Sequence, residues 1–256
     1  MPATDSAWRE IFERTYTPDA SKVEERIWRD VFGEEYPEGL DPYSFVSRLE
    51  LEQIALATNV GDGATLVDLG CGRGGAGLWV AGRTGATLVG IDIADAALAA
   101  ARRRAAGLGM PATFLRGEFE ATGLASASAD AVMSVDAMLF TPNKAAALCE
   151  LRRILRRGGR LVMTSWDYAR QPVGRPPQVA DHRPLAEAAG LRVEVYEETR
   201  DWRDREQRIG QGLLDAAEEL AAESGDPVDE VRASILEMNA TIDTMIRRFL
   251  MVAEAV

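Results

Sequence analysis

The chain has 256 residues, 46% of them hydrophobic, which is enough apolar matter for one large core and too much for a disordered chain. Its formal charge of −12, from 29 basic and 41 acidic residues, argues against nucleic acid or an anionic membrane surface as partner. The single histidine, His182, excludes a histidine pair, and the two cysteines, Cys71 and Cys149, lack metal-ligand spacing, so neither a metal site nor a disulfide framework is expected.

Met1 to Arg14 is polar and carries acids, unlike a leader peptide, and no run approaches the ~18 apolar residues of a membrane span. A cytoplasmic chain is expected, with a small-molecule substrate, as monomer or homodimer. Lysine occurs only at Lys22 and Lys144, and neither sits in an apolar run that would depress its pKa.

In chain order, Trp8, Ile11, Phe12 and Tyr16 keep helical spacing, as do Val23, Ile27 and Val31. Gly33 to Ser44 is rich in turn formers, and a further helix is predicted from Phe45 to Thr58. This N-terminal segment, residues 1–60, closes at Gly61-Asp62-Gly63 and reads as a helical lid. From Thr65 onward short β-branched runs alternate with helical stretches, the signature of βαβ units and a parallel sheet. Strands are predicted at Thr65–Leu69, Thr87–Asp92, Thr113–Leu115, Ala131–Val135 and Arg160–Trp166, with two more at Leu191–Glu197 and Arg248–Ala253. Helices are predicted at Gly75–Gly82, Asp95–Ala106 and Lys144–Leu155. A long helical insertion, about residues 203–246, precedes the last strand. In it Asp226 is the predicted N-cap, with Pro227 at the first helical position, ahead of an apolar stripe of Val231, Ile235, Met238, Ile242 and Met245. The fold class is α/β, a doubly wound seven-stranded mostly parallel sheet over residues 61–256.

The first strand runs into Asp68-Leu69-Gly70-Cys71-Gly72-Arg73-Gly74-Gly75 and then a helix. Glycines let the backbone turn sharply and approach a ligand, and the helix that follows offers free N–H groups. Gly70, Gly72 and Gly75 satisfy the dinucleotide pattern, and Asp92 ends the second strand where an acid reaches a ribose. An acid two residues before the first glycine resembles motif I of the class I S-adenosylmethionine-dependent methyltransferases. The resemblance continues through Asp92, Gly117-Glu118-Phe119, Ala129 to Ser134 and Leu155 to Val162, with Arg157 where the family has proline, and covers about residues 60–167. More loosely the chain is similar to small-molecule methyltransferases of bacterial secondary metabolism, antibiotic biosynthesis included.

The resemblance implies a Rossmann-like fold, S-adenosyl-L-methionine as cofactor and a set of roles. Asp68, Gly70, Cys71, Gly72 and Gly74 would hold the methionine end through the turn. Asp92 would grip the ribose, Ile93 would pack on the adenine, and Glu118 beside Phe119 would accept from its amino group. Ser134 and Val135 would border the sulfonium, and Tyr43 and Phe45 would cover the cofactor. Relatives place histidines after the fourth strand, where this chain has Leu139 and Phe140. Asp136 and His182 are therefore the candidate bases. The alternatives are a turn-supporting role for Asp136 and a surface pairing with Asp181 for His182. Met138, Phe140, Trp166, Tyr168 and Trp202 are the candidate acceptor-lining residues, and Trp166, Tyr168 and Trp202 equally fit a core between lid helices and sheet. Two functions fit: methyl transfer to O, N or C of a small natural-product-like acceptor, or a methyltransferase-fold cyclase that keeps the cofactor structurally.

Overall fold

The computed structural model describes residues 5–17, 19–40 and 44–256. Three helices come first: α1 (Asp5–Tyr16), α2 (Lys22–Phe32) and α3 (Arg48–Thr58). Ser21 caps α2 by accepting from the Glu24 N–H, and Ser47 and Glu50 form a reciprocal capping box at the start of α3. The alternating part follows as β1 (Thr65–Leu69), α4 (Gly75–Thr84), β2 (Thr87–Asp92), α5 (Asp95–Leu108), β3 (Ala112–Arg116), β4 (Ala129–Val135), α6 (Lys144–Ile154), β5 (Leu155–Tyr168), α7 (Arg183–Ala188) and β6 (Leu191–Glu198). Then come α8 (Trp202–Asp215), α9 (Ala217–Ser224), α10 (Val228–Ile242) and β7 (Met245–Ala255).

The strands form one sheet in the order β3-β2-β1-β4-β5-β7-β6, parallel from β3 to β5. β7 enters antiparallel between β5 and β6. The order reverses between β1 and β4, and a crevice opens at the carboxyl ends of these strands, where ligands of open α/β sheets bind. Central strands are buried on both faces, which explains their unbroken apolar runs. One core layer joins α3, α4 and α5 to the sheet through Leu51, Ile54, Leu78 and Leu98. The other joins α6 and α7 through Leu148, Leu151 and Ala186.

Four expectations shift. β5 runs on to Tyr168 and β7 spans Met245–Ala255 because they pair with each other from Arg160↔Glu254 to Tyr168↔Met245, and β5 starts early because Leu155 pairs with Ala129 of β4. α3, assigned by sequence to the lid segment, belongs to the sheet core instead. Asp226 does not cap α10: Pro227 holds the N-cap position, and no side chain closes that end. Met245 has left the helical stripe to open β7. The insertion is three helices, and its apolar face meets α2 in a cluster of Ile27, Trp28, Phe32, Ile209, Leu213 and Ile235.

Candidate active site

The glycine-rich turn is stitched to the end of β2. Gly70 and Cys71 N–H both donate to the Ile91 carbonyl, at 2.8 and 3.0 Å, and Gly72 N–H donates to Asp92 Oδ2 at 2.8 Å. Asp92 Oδ1 accepts from Ala94 N–H at 3.0 Å, so its carboxylate is fixed at the edge of the crevice. At Gly72 φ is +51°, and a Cβ would stand 3.0 Å from the Tyr16 hydroxyl. Only glycine leaves that space open. Asp68, 2% exposed, packs its carboxylate against Gly77, where a Cβ would come within 2.5 Å of Oδ2. Burial, then the charge of Asp92, pushes the Asp68 carboxyl up to about 7 against the pull of the Gly77 N–H. Burial likewise raises Asp92 above the usual carboxylate range, against the pull of the Ala94, Gly72 and Ile93 N–H groups.

The crevice is lined by Asp68, Gly70, Cys71, Gly72, Asp92, Ile93, Glu118, Phe119, Val135 and Asp136. Gly74 and Ser134 are expected there and are absent from its wall. Gly74 faces Ala101, Phe114 and Leu78, and Ser134 is wholly buried, its Oγ donating to the Leu69 carbonyl between β4 and β1. Tyr43 lies outside the described residues. Phe45 packs instead on Trp28 and Trp166, at 5.7 and 5.9 Å between ring centroids.

The cover over the turn comes from α1, whose Trp8, Phe12 and Tyr16 line the crevice and stack along the helix. Glu13, also on α1, accepts from Asp95 and Ala96 N–H at 2.6 and 3.0 Å. It thereby supplies the cap that α5 lacks, since Ala94 stands at its N-cap. Trp8 and Phe12 meet Phe140 at 5.1 and 4.9 Å, and Glu120, Thr141 and Pro142 complete this end of the crevice. The aromatic spacing of Trp8, Phe12 and Tyr16 was visible in the sequence. Three rings on one short helix are more than packing requires, and that was the available signal. Glu120 carries no sequence signal of its own.

Among the acceptor candidates, Phe140 lines the crevice. Met138 is buried in the opposite core layer. Trp166, Tyr168 and Trp202 sit in a separate cluster with Leu139, Ile242 and Met245. There the Trp166 indole donates to Glu206 at 2.7 Å, and burial pushes the Glu206 carboxyl up to about 8.

Neither candidate base is placed to take a proton. Asp136 has φ +53° and lies at the crevice wall, but its carboxylate is fully engaged. Oδ1 accepts from Thr164 Oγ1 (2.8 Å) and Arg248 Nε (3.0 Å), and Oδ2 accepts from Phe45 N–H (2.9 Å) and Arg248 Nη2 (3.1 Å). The same buried guanidinium also reaches Glu50 and Thr199. His182 is wholly buried away from the crevice, against Phe249. Its Nδ1 lies 2.9 Å from Asp167 Oδ1, so it is neither exposed nor paired with Asp181. Burial holds its pKa below the ordinary histidine value despite Asp167. Lys144 corrects a further expectation. Tertiary burial, invisible in its local sequence, pulls its pKa down to about 8 while it donates to the Thr141 and Pro177 carbonyls.

The donor set suits a cationic ligand that carries hydroxyls and a flat apolar ring. Carboxylates of Asp68, Asp92, Glu118 and Glu120 line the crevice together with Arg73 and Arg104, Ile93 and Phe119 offer apolar walls, and the glycine turn leaves backbone open to close approach. Comparison with known proteins agrees. The profile described as "Methyltransferase domain" matches residues 67–163. The dimethylglycine N-methyltransferase of Parasynechococcus marenigrum is 30% identical over 221 residues, covering 77% of this chain and 78% of that protein. The methyltransferase GfsG of Streptomyces halstedii is 30% identical over 129 residues, 50% of this chain, and the chain spans under half of that relative's length, 46%. Among solved structures, the [4+2]-cyclase SpnF superposes with a TM-score of 0.75 at 18% identity, covering 99% of this chain and 97% of that one.

Proposed function

The chain belongs to the class I S-adenosylmethionine-dependent methyltransferases, and we propose that within that family it methylates a small natural-product-like acceptor held at the Trp8–Phe12–Phe140 end of the crevice. The observation that carries this reading is the union of two ends in one cavity, a glycine turn with carboxylates at one and three aromatic rings at the other. Bound S-adenosylmethionine supplies an electrophilic methyl group on sulfur. Asp68, the backbone of Gly70 to Gly72 and Asp92 would hold its methionine and ribose, and Ile93, Glu118 and Phe119 its adenine.

The rest of the chemistry is alignment and exclusion of water. α1 closes over the turn, and Val135, Ala137 and Phe140 border the reacting centre. Asp136 orients that wall and does not abstract a proton, because four donors fill its oxygens. Glu120 lines the acceptor end, with one oxygen taken by Thr141 and Asn143, and would receive whatever proton the acceptor sheds. An amine or an already acidic group suits such a site best, since neither needs a strong base. We place this activity in the cytoplasm; no helix among the described residues is long and apolar enough to cross a membrane.

A second reading, a cyclase that uses the cofactor only to shape the pocket, is favoured by the likeness to SpnF over nearly the whole chain and by the engaged Asp136. Methyl-deuterated S-adenosylmethionine distinguishes the two. Incubated with the protein and bacterial small-molecule extracts, it should yield products three mass units heavier than with ordinary cofactor. Substrate consumption without any labelled product would sink methyl transfer in favour of cyclisation. Absence of cofactor binding would sink both.

A further inference from the structure

Lys144 is the first residue of α6, where Asn143 supplies the cap by accepting from Ala146 N–H at 3.0 Å. Two costs meet at that position. A cation at a helix N-terminus opposes the helix dipole, and a lysine only 4% exposed has given up its water. What the ammonium does in return is hold backbone. It donates to the Thr141 carbonyl at 3.2 Å and to the Pro177 carbonyl at 2.6 Å, so it joins the stretch after β4 to the loop between β5 and α7.

These bonds fall where the crevice is shaped. The Gln178 amide donates to the Leu139 carbonyl at 2.8 Å. Phe140 therefore stands between two carbonyls that are both held from behind, and its ring meets Trp8 and Phe12 across the acceptor end. The Thr141 hydroxyl in turn donates to Glu120, and Asn143 N–H donates to the same carboxylate oxygen at 3.2 Å. Phe140, Thr141 and Glu120 line the crevice, with Lys144 in the layer behind them. Two titratable groups share its field. Glu120, from the loop after β3, favours the charged lysine against burial. His182, just before α7 and held to Asp167, has its pKa lowered in part by Lys144.

We infer that Lys144 is a positioning residue of the acceptor end, whose ammonium fixes Phe140 and Thr141 and, through Thr141, Glu120. This rests on the crevice being the site of methyl transfer. Lys144 works through the wall and is not a catalytic residue. Without its charge the amine loses the charge-assisted strength of both bonds and the attraction of Glu120, so the wall is fully set only while Lys144 is protonated. Burial pulls its pKa down to about 8. About nine-tenths of the molecules are then charged at pH 7 and about one-tenth at pH 9.

The test compares wild type with Lys144→Met, which keeps the side chain's length without its charge. Initial rates of label transfer from methyl-deuterated S-adenosylmethionine are read with one bacterial small-molecule extract at pH 7 and 9. Taking the ratio of the two proteins at each pH cancels the titration of acceptor and cofactor site. Wild type should lead about tenfold at pH 7, the size of a charge-assisted contact, and about twofold at pH 9. Affinity for S-adenosylhomocysteine should stay within about twofold. A ratio near one at pH 7 overturns the inference. So does a ratio that is the same at both pH values, which is what a merely structural Lys144 gives. A second arm needs neither acceptor nor a folded Lys144→Met. Carbon-13 at lysine Cε gives two side-chain resonances, from Lys22 and Lys144, and Lys22→Arg tells them apart. Glu120→Gln should lower the Lys144 titration midpoint by about half a pH unit or more. A midpoint that does not move overturns the link to Glu120 and the inference with it. If wild type transfers no label, the methyl-transfer reading falls instead, and the resonance arm still judges the Lys144–Glu120 link, so the two failures are distinguishable.

Discussion

Lowering the pH from 7 to 5.5 should weaken binding of S-adenosylmethionine through Asp68. With its carboxyl near 7, about half of the molecules carry the charge at pH 7 and about 3% at pH 5.5. A cationic ligand selects the charged form, so affinity falls about fifteenfold, or ~1.6 kcal/mol. The window stops at pH 7 because the ligand's own α-amino group loses its proton from about 7.7 upward. Calorimetry in two buffers of different ionisation enthalpy should find about half a proton released per ligand at pH 7, rising toward one at pH 5.5. Asp68→Asn should bind more weakly at pH 7 and with a flattened pH profile. The same group acts on folding with a defined sign. Its folded pKa lies above the unfolded value of 3.8, so its contribution is full below that value and lost as pH rises through about 7. The ceiling of this loss is ~4 kcal/mol. Ligand-free Asp68→Asn should therefore exceed wild type in stability at pH 8 and approach it at pH 5. A wild-type affinity that stays level from pH 5.5 to 7, or an unchanged slope in Asp68→Asn, refutes the reasoning.

Three more outcomes are expected. Arg248→Met strands the buried carboxylates of Asp136 and Glu50, and urea denaturation should register a loss of about 3–5 kcal/mol. Glu13→Ala uncaps α5 and frees α1 from it. The change is worth about 1 kcal/mol, so S-adenosylhomocysteine should dissociate about fivefold faster, read by stopped-flow fluorescence of Trp8. Glu206, pushed up to about 8 and so mostly protonated at neutral pH, loses its stabilising neutral form as pH rises through 8. Melting temperatures of wild type should fall between pH 7 and 9 more steeply than those of Glu206→Gln.

The sequence was most legible where chemistry is local. The turn after β1, the acid at the end of β2 and the alternation of strands and helices each follow from spacing within a few residues. The spacing of twenty positions marks Asp92 as an acid at the crevice edge, and there its carboxylate accepts from Gly72 N–H. What escaped depends on pairing at a distance. Nothing near Asp136 announces that Arg248, from a strand 112 positions later, will occupy its carboxylate. Nothing near His182 shows that Asp167 and Tyr196 will draw it inside. For Trp166 and Trp202 the sequence leaves a pocket wall and a core under the lid helices equally open, and α8 and α10 seal them into the core. The helical spacing of Tyr16 says nothing of Gly72, beside which its hydroxyl stands.

The placing of β7 governs how the molecule can be assembled. β6 is made before β7 but has no partner in the sheet except β7, and β5 keeps an open edge until the same strand arrives. Arg248, which closes the wall of the crevice, rides on that strand. While a nascent chain lacks β7, its glycine turn can form, but two strands remain unzipped and two buried-to-be carboxylates face water. Such an intermediate exposes two strand edges ready to pair with other chains, and the slow, long-range insertion of β7 is the step that removes them. Productive folding and completion of the acceptor wall are thus a single late event, and a lesion in β7 should be seen first as loss of soluble protein and only afterwards as loss of activity.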